Sequence, residues 1–452
     1  MAIISANQEI SSIGRYDRCL MSKFHLSIED VIKDDINPSI MQLFRVSDKQ
    51  IMISSNANLP NLLREWVKYY VEEEEENDIN IVFYSSSARI IKARLELIGY
   101  SLANAKIAYC RYLDSEISRY KKLAESHDSN FHQSQLKILS SINLDKWLSI
   151  PKEIHDKELI QSRYKECFSF SCVDLNVTLR LVLEVLPENE TVIYNVTDLI
   201  LHEYFDIEED LVKYASNISS QDYCNYYNSK CIILTEGKSD TLILSESLKL
   251  LYPHLSDYFT FMDFDDAKVG GGAGSLATMV KSFSGAGIIN RVVAVFDNDT
   301  AARAALKKIR NSKISKISKN IKVYTLPDIE ILKDYPTIGP SGKVKMNVNG
   351  LAGGIEAYLG NRSLTDEDGN FYPVQWTGLD YGLQKYQGEI TEKDKVQKKF
   401  KEQLNACKEN SSLIDNYDWS GIKAILEEIF SLFHEDDGQQ IISWAEEYNN
   451  KY

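Results

Sequence analysis

The chain has 452 residues and a formal net charge of −15 at pH 7, which argues against a protein that coats nucleic acid through bulk positive charge. Because one hydrophobic core stops growing beyond roughly 250–300 residues, two or three domains are expected. No stretch approaches the roughly 18–20 uninterrupted apolar residues that span a bilayer, so no membrane segment is predicted.

The seven cysteines are scattered along the chain and form no CxxC pair. This spacing supports neither a zinc ribbon nor a redox motif. The N-terminus has no basic segment followed by an apolar one, so no export signal is visible. Unpaired cysteines and the lack of an export signal together predict a protein of the reducing cytoplasm.

The first half of the sequence predicts a mostly helical domain over residues 1–228. Two short β-like runs, IGRYDRCLMS and QIMISS, come first, but from Pro60 onward apolar residues recur at helical spacing. Residues 88–125 carry the longest such pattern and predict one long helix. Further helical patterns cover residues 133–165 and 173–217.

At residue 229 the pattern changes to short apolar runs that alternate with helical segments. The apolar runs are CIIL, YFTFM, RVVAVF and IKVYTL, and the segments between them begin KSDTLIL, SLATMVK and TAARAAL. This alternation predicts βαβ units and a parallel sheet flanked by helices. The α/β domain is predicted to cover residues 229–362, and the helical segments beyond it predict a mostly helical C-terminal region over residues 363–452.

Two acidic residues follow the first apolar run of the α/β domain. Glu236 stands where the predicted strand ends, and Gly237 allows a tight turn into the next helix. Asp240 falls in the first turn of that helix, where it could face the same crevice as Glu236. Ligands of open α/β sheets gather outside the carboxyl ends of the strands, which is where both carboxylates are expected.

A second acidic pair ends the third apolar run as FDND. Asp297 and Asp299 are two residues apart, so in an extended backbone both point the same way, with Asn298 turned aside. Clustered carboxylates suit hard cations such as Mg²⁺ or Mn²⁺, and two ions can activate water and neutralise the leaving oxygen of a phosphodiester. Solvated acids at helix N-termini are the alternative, but two such motifs directly after apolar runs favour metal binding.

Other charged residues near these motifs are weaker candidates. Glu356, in GGIEAYLG, could complete a second metal site. Lys238 and Arg303 could touch phosphate, although solvated surface roles also account for both. More acid follows the second apolar run at Asp263, Asp265 and Asp266.

The two acidic motifs resemble those of the Toprim superfamily, in which a strand ends in Glu-Gly-x-x-Asp and a later strand ends in Asp-x-Asp. This sequence carries the pattern at residues 236–240 and 297–299. The resemblance implies a metal-dependent nuclease that holds Mg²⁺ on these acids, with Glu236 also acting as general acid or base. In members related to the OLD nucleases, a further glutamate and a downstream lysine take part. Glu356 is the match for the glutamate, and Lys393 and Lys395 are candidates for the lysine.

A broader resemblance covers most of the chain. The segments SSIGRYDRCLMSK, MQLFRVSDKQ, RVVAVFDNDTAA and QWTGLDYGLQKYQGEITEKDKVQKKF occur in an order similar to that of bacterial HEPN/Toprim-associated proteins. This resemblance implies a defence or toxin-like nuclease that acts on DNA or RNA against phage. It is compatible with a homodimer and with a partner protein from a defence operon.

The sequence does not support a HEPN ribonuclease centre. Such centres need an Arg and a His four to six residues apart on one helix. Arg18 and His25 lie in a segment without helical pattern, and Arg119 and His127 have seven residues between them. The helical region is therefore interpreted as a scaffold, dimerisation or substrate-guiding domain.

A dinucleotide-binding enzyme is one rival interpretation. The segment GAGSLA, at residues 272–277, has the G-x-G-x-x-G/A spacing, and Asp297 follows it by about 20 residues. However, DDAKV separates these glycines from the preceding apolar run, and its carboxylates would repel a pyrophosphate. A glycine loop that approaches substrate or metal accounts better for the segment.

Two further alternatives remain open. A topoisomerase or primase would bring a second recognisable module, such as a zinc-binding domain, and none is visible. There is also no GxxxxGK[ST], so no ATPase module accompanies the acidic motifs. The other alternative is a non-catalytic nucleic-acid-binding or partner-regulating protein, against which the intact acidic set argues.

Overall fold

The computed structural model describes residues 18–21, 36–71, 78–126, 130–149, 174–219, 230–264, 270–310, 318–339 and 342–451. By contacts the chain forms two compact units. The first unit is Met1–Asn228 with Phe433–Tyr452, and the second is Ser229–Leu432. In the described part of the chain, no helix is both long enough and apolar enough to cross a membrane.

The strands are numbered along the chain. They are β1 (Arg18–Met21), β2 (Lys49–Ile53), β3 (Asn80–Ser87), β4 (Thr191–Asn195), β5 (Cys231–Leu234), β6 (Phe259–Phe261), β7 (Val292–Phe296), β8 (Asn298–Asp299), β9 (Ile321–Thr325), β10 (Tyr335–Gly339), β11 (Gly342–Met346), β12 (Ala352–Gly353), β13 (Val374–Asp380) and β14 (Lys385–Ile390).

The helices are numbered in the same way. They are α1 (Pro38–Met41), α2 (Asn61–Val71), α3 (Ala88–Leu97), α4 (Leu102–Ser126), α5 (Asn130–Ser141), α6 (Leu144–Leu148), α7 (Leu175–Glu184), α8 (Thr197–Leu201), α9 (Leu211–Ser219), α10 (Lys238–Leu251), α11 (Ala273–Gly285), α12 (Thr300–Arg310), α13 (Asn361–Leu364), α14 (Lys393–Glu409), α15 (Ser420–Ser431) and α16 (His434–Lys451). Short 3-10 helices occupy Val46–Asp48, Ser256–Tyr258, Glu330–Asp334, Ile355–Tyr358 and Ser411–Asn416.

The first unit contains an antiparallel sheet in the order β1-β4-β3-β2. Strands β1 and β2 coincide with the two β-like runs of the sequence, whereas β3 and β4 lie in the part predicted to be helical. The central strand β3 has four consecutive buried residues, Ile81 to Tyr84. A run that is buried on both faces lacks the alternation of a half-exposed strand, and periodicity alone does not distinguish it from a buried helix. Leu63 and Trp66 of α2 pack against Ile81 and Phe83 of this sheet.

The long helix predicted over residues 88–125 is two helices, α3 and α4. Gly99 lies between them with a φ of 95°, a backbone conformation that residues other than glycine rarely adopt. A β-carbon at Gly99 would lie 2.4 Å from Cβ of Asp437, so helix α16 approaches this turn closely. The apolar pattern continues across the break, which is why the sequence predicted one helix.

The second unit contains the predicted parallel sheet, in the order β6-β5-β7-β9 with every neighbouring pair parallel. All five residues of β7 are buried, as expected for a central strand covered on both faces. Helices α11 and α12 contribute Leu276, Val280 and Ala302 to the core around this strand. The sheet brings the carboxyl ends of β5 and β7 side by side.

The same unit extends beyond the predicted domain end at residue 362. A mixed sheet in the order β11-β10-β13-β14 includes two strands from the region predicted to be mostly helical. The β13–β14 hairpin is antiparallel, with a register shift between Trp376 and Gly378. A separate pair, β8 with β12, joins Asp299 to Ala352.

Replacing Gly99 with alanine is expected to destabilise the first unit by about 1–3 kcal/mol, because a β-carbon is strained at this φ and meets Asp437. Urea unfolding followed by circular dichroism measures the change. Gly285→Ala is the control, because a β-carbon there meets no atom within 4 Å. Equal stability of Gly99→Ala and Gly285→Ala would contradict the close approach of α16.

Candidate functional site

Glu236 and Asp240 lie at the carboxyl end of β5. Glu236 lies two residues after the end of the strand, and its Oε1 accepts a hydrogen bond of 3.0 Å from the backbone N–H of Asp297. Asp240 lies in the first turn of α10. The strand-to-helix turn therefore places two carboxylates beside the end of β7.

Asp297 and Asp299 follow β7, and each is held by a different part of the second unit. Asp299 is only 8% exposed, and its Oδ1 accepts the N–H of Ala302 at 2.7 Å, which caps α12. Its Oδ2 accepts a hydrogen bond of 2.6 Å from the Gln387 side chain. Asp297 packs beside Gly354, where a β-carbon would lie 3.5 Å from Oδ2 of Asp297.

Asn298, between the two aspartates, is buried and has a partner of its own. Its Nδ2 donates a hydrogen bond of 2.7 Å to Oδ1 of Asp328, in the loop after β9. The strand-like alternation of FDND thus turns Asn298 away from the acids, and the amide fixes the neighbouring loop. Asn298 is a structural support that the sequence did not reveal.

Glu356 joins this cluster from the 3-10 helix at Ile355–Tyr358. The residue is 5% exposed, and its Oε1 accepts a hydrogen bond of 2.8 Å from the side chain of Gln397 on α14. A β-carbon at Gly354 would lie 2.9 Å from Oε2 of Glu356 and 3.5 Å from Oδ2 of Asp297. Glycine at this position lets both carboxylates come near the same point of the backbone.

The pKa values show that the acids share one electrostatic environment. Burial, together with the negative charges of Asp299 and Asp240, raises the pKa of Glu236 to about 7 although two backbone hydrogen bonds lower it. Burial and the charge of Glu356 raise the pKa of Asp240 to about 6. Both groups therefore exchange protons near neutral pH.

Asp297 has the least favourable environment for a negative charge. Burial, followed by repulsion from Glu236, Asp240, Asp299 and Glu356, raises its pKa well above the usual value. These five carboxylates are called the acid cluster below. In a setting of low dielectric, five such groups cannot all ionise without a positive charge among them.

Lys393 supplies a positive charge beside the acid cluster. Burial lowers its pKa, but Glu356, Glu389 and Asp297 more than reverse that effect, so the pKa lies above its usual value. Its Nζ lies 3.4 Å from Oε2 of Glu389. Lys393 is the first residue of α14, which follows β14 after a short turn.

Lys395, the other lysine considered from the sequence, is not brought to the acid cluster. Its Nζ forms an ion pair of 2.9 Å with Glu392 on the surface, and its side chain is 63% exposed. The hydrogen bond to Glu392 and the charge of Glu392 raise its pKa. Two residues along a helix turn the side chain through about 200°, so Lys395 and Lys393 lie on nearly opposite sides of α14.

Gln387 is a residue of the site that sequence reasoning missed. It lies on β14, donates to Asp299 and accepts the N–H of Ala301 through its Oε1 at 2.9 Å. It thereby links the hairpin to the start of α12. An amide 88 residues from its carboxylate partner belongs to no motif, so only the spatial arrangement identifies it.

The acid cluster has the donor chemistry for divalent cations. It offers carboxylate oxygens, which Mg²⁺ and Mn²⁺ prefer, and the raised pKa values record negative charge that a cation would neutralise. Within the described residues, no group of three or more His, Cys, Asp or Glu side chains is already arranged to hold one ion. Protein N–H groups donate to oxygens of Glu236, Asp299 and Glu356, and each of these carboxylates keeps further lone pairs for an ion.

The glycine loop considered for dinucleotide binding lies against Glu236 instead. The N–H of Gly272 donates a hydrogen bond of 2.6 Å to the backbone oxygen of Glu236, and a β-carbon at Gly271 would lie 3.1 Å from that oxygen. An open depression of about 450 Å³ borders this loop. It is lined by Gly271, Gly274, Ser275, Thr278 and Met279.

The two arginines considered for a HEPN ribonuclease centre belong to the first unit, and four other candidate residues lie outside the described part of the chain. Arg119 forms an ion pair of 2.6 Å with Glu116 and lies over the ring of Tyr120. Arg18 lies on strand β1 rather than on a helix. The residues outside the described part are His25, His127, Asp265 and Asp266.

One family model matches the chain, that of HEPN/Toprim N-terminal domain 1, over residues 27–219. The match supports the resemblance to HEPN/Toprim-associated proteins and points to a nuclease-related family. It lies in the first unit and does not extend to the acid cluster. No protein of curated function and no solved structure matches the chain.

Glu236→Gln is expected to stabilise the metal-free protein above neutral pH. Because its folded-state pKa is raised, Glu236 holds its proton longer in the folded than in the unfolded state, so stability falls as pH rises from about 4.5 to 7. A shift of this size is worth up to about 3 kcal/mol. Glutamine keeps an oxygen for the N–H of Asp297 but carries no charge.

Melting temperatures in EDTA between about pH 5 and 8 measure this effect. The wild type should lose stability over that range, and Glu236→Gln should lose less. Glu330→Gln is the control, because Glu330 is 86% exposed and its ion pair is with the exposed Lys333. If the Glu236→Gln variant melts below the wild type at pH 8, the negative charge of Glu236 does not destabilise the folded protein.

Proposed function

We propose that the second unit is a Toprim-type phosphodiesterase that needs Mg²⁺ or Mn²⁺ and cleaves DNA or RNA. The observation that carries the proposal is the acid cluster at the ends of β5 and β7, in which each of three carboxyl groups has a raised pKa. A structural ion pair would lower such values, because opposite charges favour the ionised carboxylate. Crowded acids of this kind are typical of sites that receive a cation or exchange a proton.

The residues would divide the work as follows. Asp297, Asp299 and Glu236 hold the ions, and Asp240 and Glu356 complete their surroundings. Two bound ions supply Lewis acidity and neutralise charge on the attacking and leaving oxygens. The resemblance to Toprim enzymes gives Glu236 a general acid–base role, so it would also accept the proton of the attacking water.

Lys393 would stabilise the negative charge that develops on the phosphate oxygens. Its raised pKa keeps it protonated at neutral pH, and Glu356 and Glu389 orient its ammonium group. Gln387 and Gln397 would position Asp299 and Glu356 by donating to one oxygen of each. The other oxygen of Glu356 remains directed toward Gly354 and Asp297.

The biological setting belongs to the same proposal. The resemblance to HEPN/Toprim-associated proteins, supported by the match over residues 27–219, suggests anti-phage defence or a toxin-like effector in the cytoplasm. The first unit would then guide substrate, form a homodimer or receive a partner protein encoded in the same operon.

Metal-dependent cleavage is the first expected outcome. Plasmid DNA, single-stranded DNA and total tRNA are incubated with wild type or Asp297→Asn in Mg²⁺, Mn²⁺ or EDTA. The wild type should cut at least one substrate with metal and none with EDTA, and Asp297→Asn should lose roughly 100-fold or more, because a metal ligand is removed. Glu330→Gln is the control for preparation and contaminating nuclease.

Either of two results would contradict the proposal. Cleavage by Asp297→Asn at the wild-type rate would mean that the acid cluster does not perform the reaction. No cleavage of any substrate, together with no change of melting temperature in Mg²⁺ or Mn²⁺, would support a non-catalytic nucleic-acid-binding or partner-regulating protein instead.

The two lysines provide a matched pair of variants. Lys393→Ala should lower the cleavage rate by roughly 10- to 1000-fold, because the positive charge beside Glu356 and Asp297 is lost. Lys395→Ala removes a charge of the same sign two residues away and should leave the rate unchanged. Initial rates at saturating metal measure both, and equal effects of the two substitutions would refute the role of Lys393.

A further inference from the structure

Helix α12 lies along the β13–β14 hairpin. At the start of the helix, the Thr300 hydroxyl donates a hydrogen bond of 2.7 Å to the backbone oxygen of Tyr386. Two turns further on, Nζ of Lys307 lies 3.4 Å from the backbone oxygen of Gly382, in the turn of the hairpin. The helix therefore follows β14 from Tyr386 toward the turn.

Arg303 lies between these two contacts on the same side of α12, three residues after Thr300 and four before Lys307. Its guanidinium group packs on Gly350, where a β-carbon would lie 1.7 Å from Nη2, and the φ of 72° at Gly350 also favours glycine. No described residue forms a hydrogen bond or ion pair with this guanidinium group. An arginine that is held in place and whose donors meet no acceptor among the described residues is suited to bind an anion.

Two exposed tyrosines belong to the part of the hairpin whose backbone contacts α12. Tyr381 is 81% exposed and Tyr386 is 57% exposed. Tyr386 is nevertheless held in place, because its ring meets that of Trp376 edge to face at 6.3 Å and its backbone oxygen is bound by Thr300. The tyrosine ring is thus exposed without being free to turn inward.

Trp376 supports this arrangement because glycines flank it on both neighbouring strands. A β-carbon at Gly339 would lie 3.1 Å from Cδ1 of Trp376, and one at Gly388 would lie 3.0 Å from Cε3. The indole can therefore lie across the sheet next to Tyr386. Side chains at either glycine would displace the aromatic pair.

We call Arg303, Lys307, Tyr381 and Tyr386 the cation–tyrosine surface, and the helix that carries its two cations begins directly after Asp299 of the acid cluster. Gln387, the neighbour of Tyr386, donates to Asp299 and accepts from the N–H of Ala301. A strand bound along α12 and the hairpin would therefore end at Asp299.

We propose that the cation–tyrosine surface binds single-stranded nucleic acid and leads it to the acid cluster, which names the substrate class of the proposed phosphodiesterase and rests on that function. Cations one helical turn apart suit successive phosphates, and exposed aromatic rings stack on unpaired bases. In a duplex the bases are stacked on each other, and their faces are not accessible to Tyr381 and Tyr386. Because the protein has a net charge of −15, binding of a polyanion depends on local cations such as Arg303 and Lys307.

Binding is tested apart from cleavage. The full-length wild type in EDTA is titrated into labelled single-stranded DNA, single-stranded RNA and duplex DNA of about 20 nucleotides, followed by fluorescence anisotropy at several NaCl concentrations. One of the two single strands should bind at least tenfold tighter than the duplex. The better of the two identifies DNA or RNA as the substrate.

The variants separate the contributions of charge and stacking. Arg303→Ala and Lys307→Ala should each reduce the slope of log affinity against log salt by about 0.7. Tyr386→Ala should weaken single-strand binding by about tenfold, and Tyr386→Phe should retain it, because stacking needs the ring and not the hydroxyl. Lys423→Ala, an exposed lysine on α15, should change nothing.

Duplex that binds as tightly as single strands, or wild-type affinity in both Arg303→Ala and Tyr386→Ala, would overturn the inference. So would the absence of any binding. Far-ultraviolet circular dichroism shows whether Tyr386→Ala is folded, and the salt slopes of the two cation variants decide the matter if it is not. Single-strand binding without cleavage in metal would refute the proposed function but leave the surface assigned.

Discussion

The candidate site of the second unit depends on the electrostatic repulsion among five carboxylates near the carboxyl ends of two parallel strands. Asp297 faces Glu236, Asp240, Asp299 and Glu356 in a buried setting, and its pKa is raised by each of them. Such crowding opposes folding unless protons or cations reduce the charge. This destabilising crowding lies at the carboxyl ends of the parallel strands, where α/β sheets bind ligands.

The protein holds the crowded acids apart from each other with its own donors. The N–H of Asp297 binds Glu236, the N–H of Ala302 and the amide of Gln387 bind Asp299, and the amide of Gln397 binds Glu356. Two of these donors come from β14 and α14, after the predicted end of the α/β domain. The hairpin and the helix that follows it are therefore part of the candidate site, together with Lys393.

The parallel sheet could be predicted because each of its strands is a short, continuous apolar run, and each of the two acidic motifs directly follows such a run. Connectivity then fixes where the carboxyl ends meet, so the proximity of Glu236 to Asp297 follows from the order of the elements. The sequence could not distinguish Lys393 from Lys395, because their difference depends on where α14 begins. Gln387 and Gln397 were missed because an amide that orients a carboxylate has no sequence signature.

Other features were missed for reasons of local pattern. The strand at Asn80–Ser87 is buried on both faces and lacks alternation, so it was not separated from the helical region. The helical periodicity continues across Gly99, although the backbone turns there. In the β13–β14 hairpin, glycines at positions 378, 382 and 388 interrupt the alternation that would have predicted strands.

Proton release on metal binding tests most directly the claim that a cation replaces protons in the acid cluster. Calorimetric titration of Mg²⁺ or Mn²⁺ into the full-length protein near pH 6.5, in two buffers with different ionisation enthalpies, counts the protons released. Binding that releases about one proton or more per protein, and that Asp297→Asn weakens, is the result expected from the raised pKa values. Binding without proton release, or no binding by the wild type, would contradict the account.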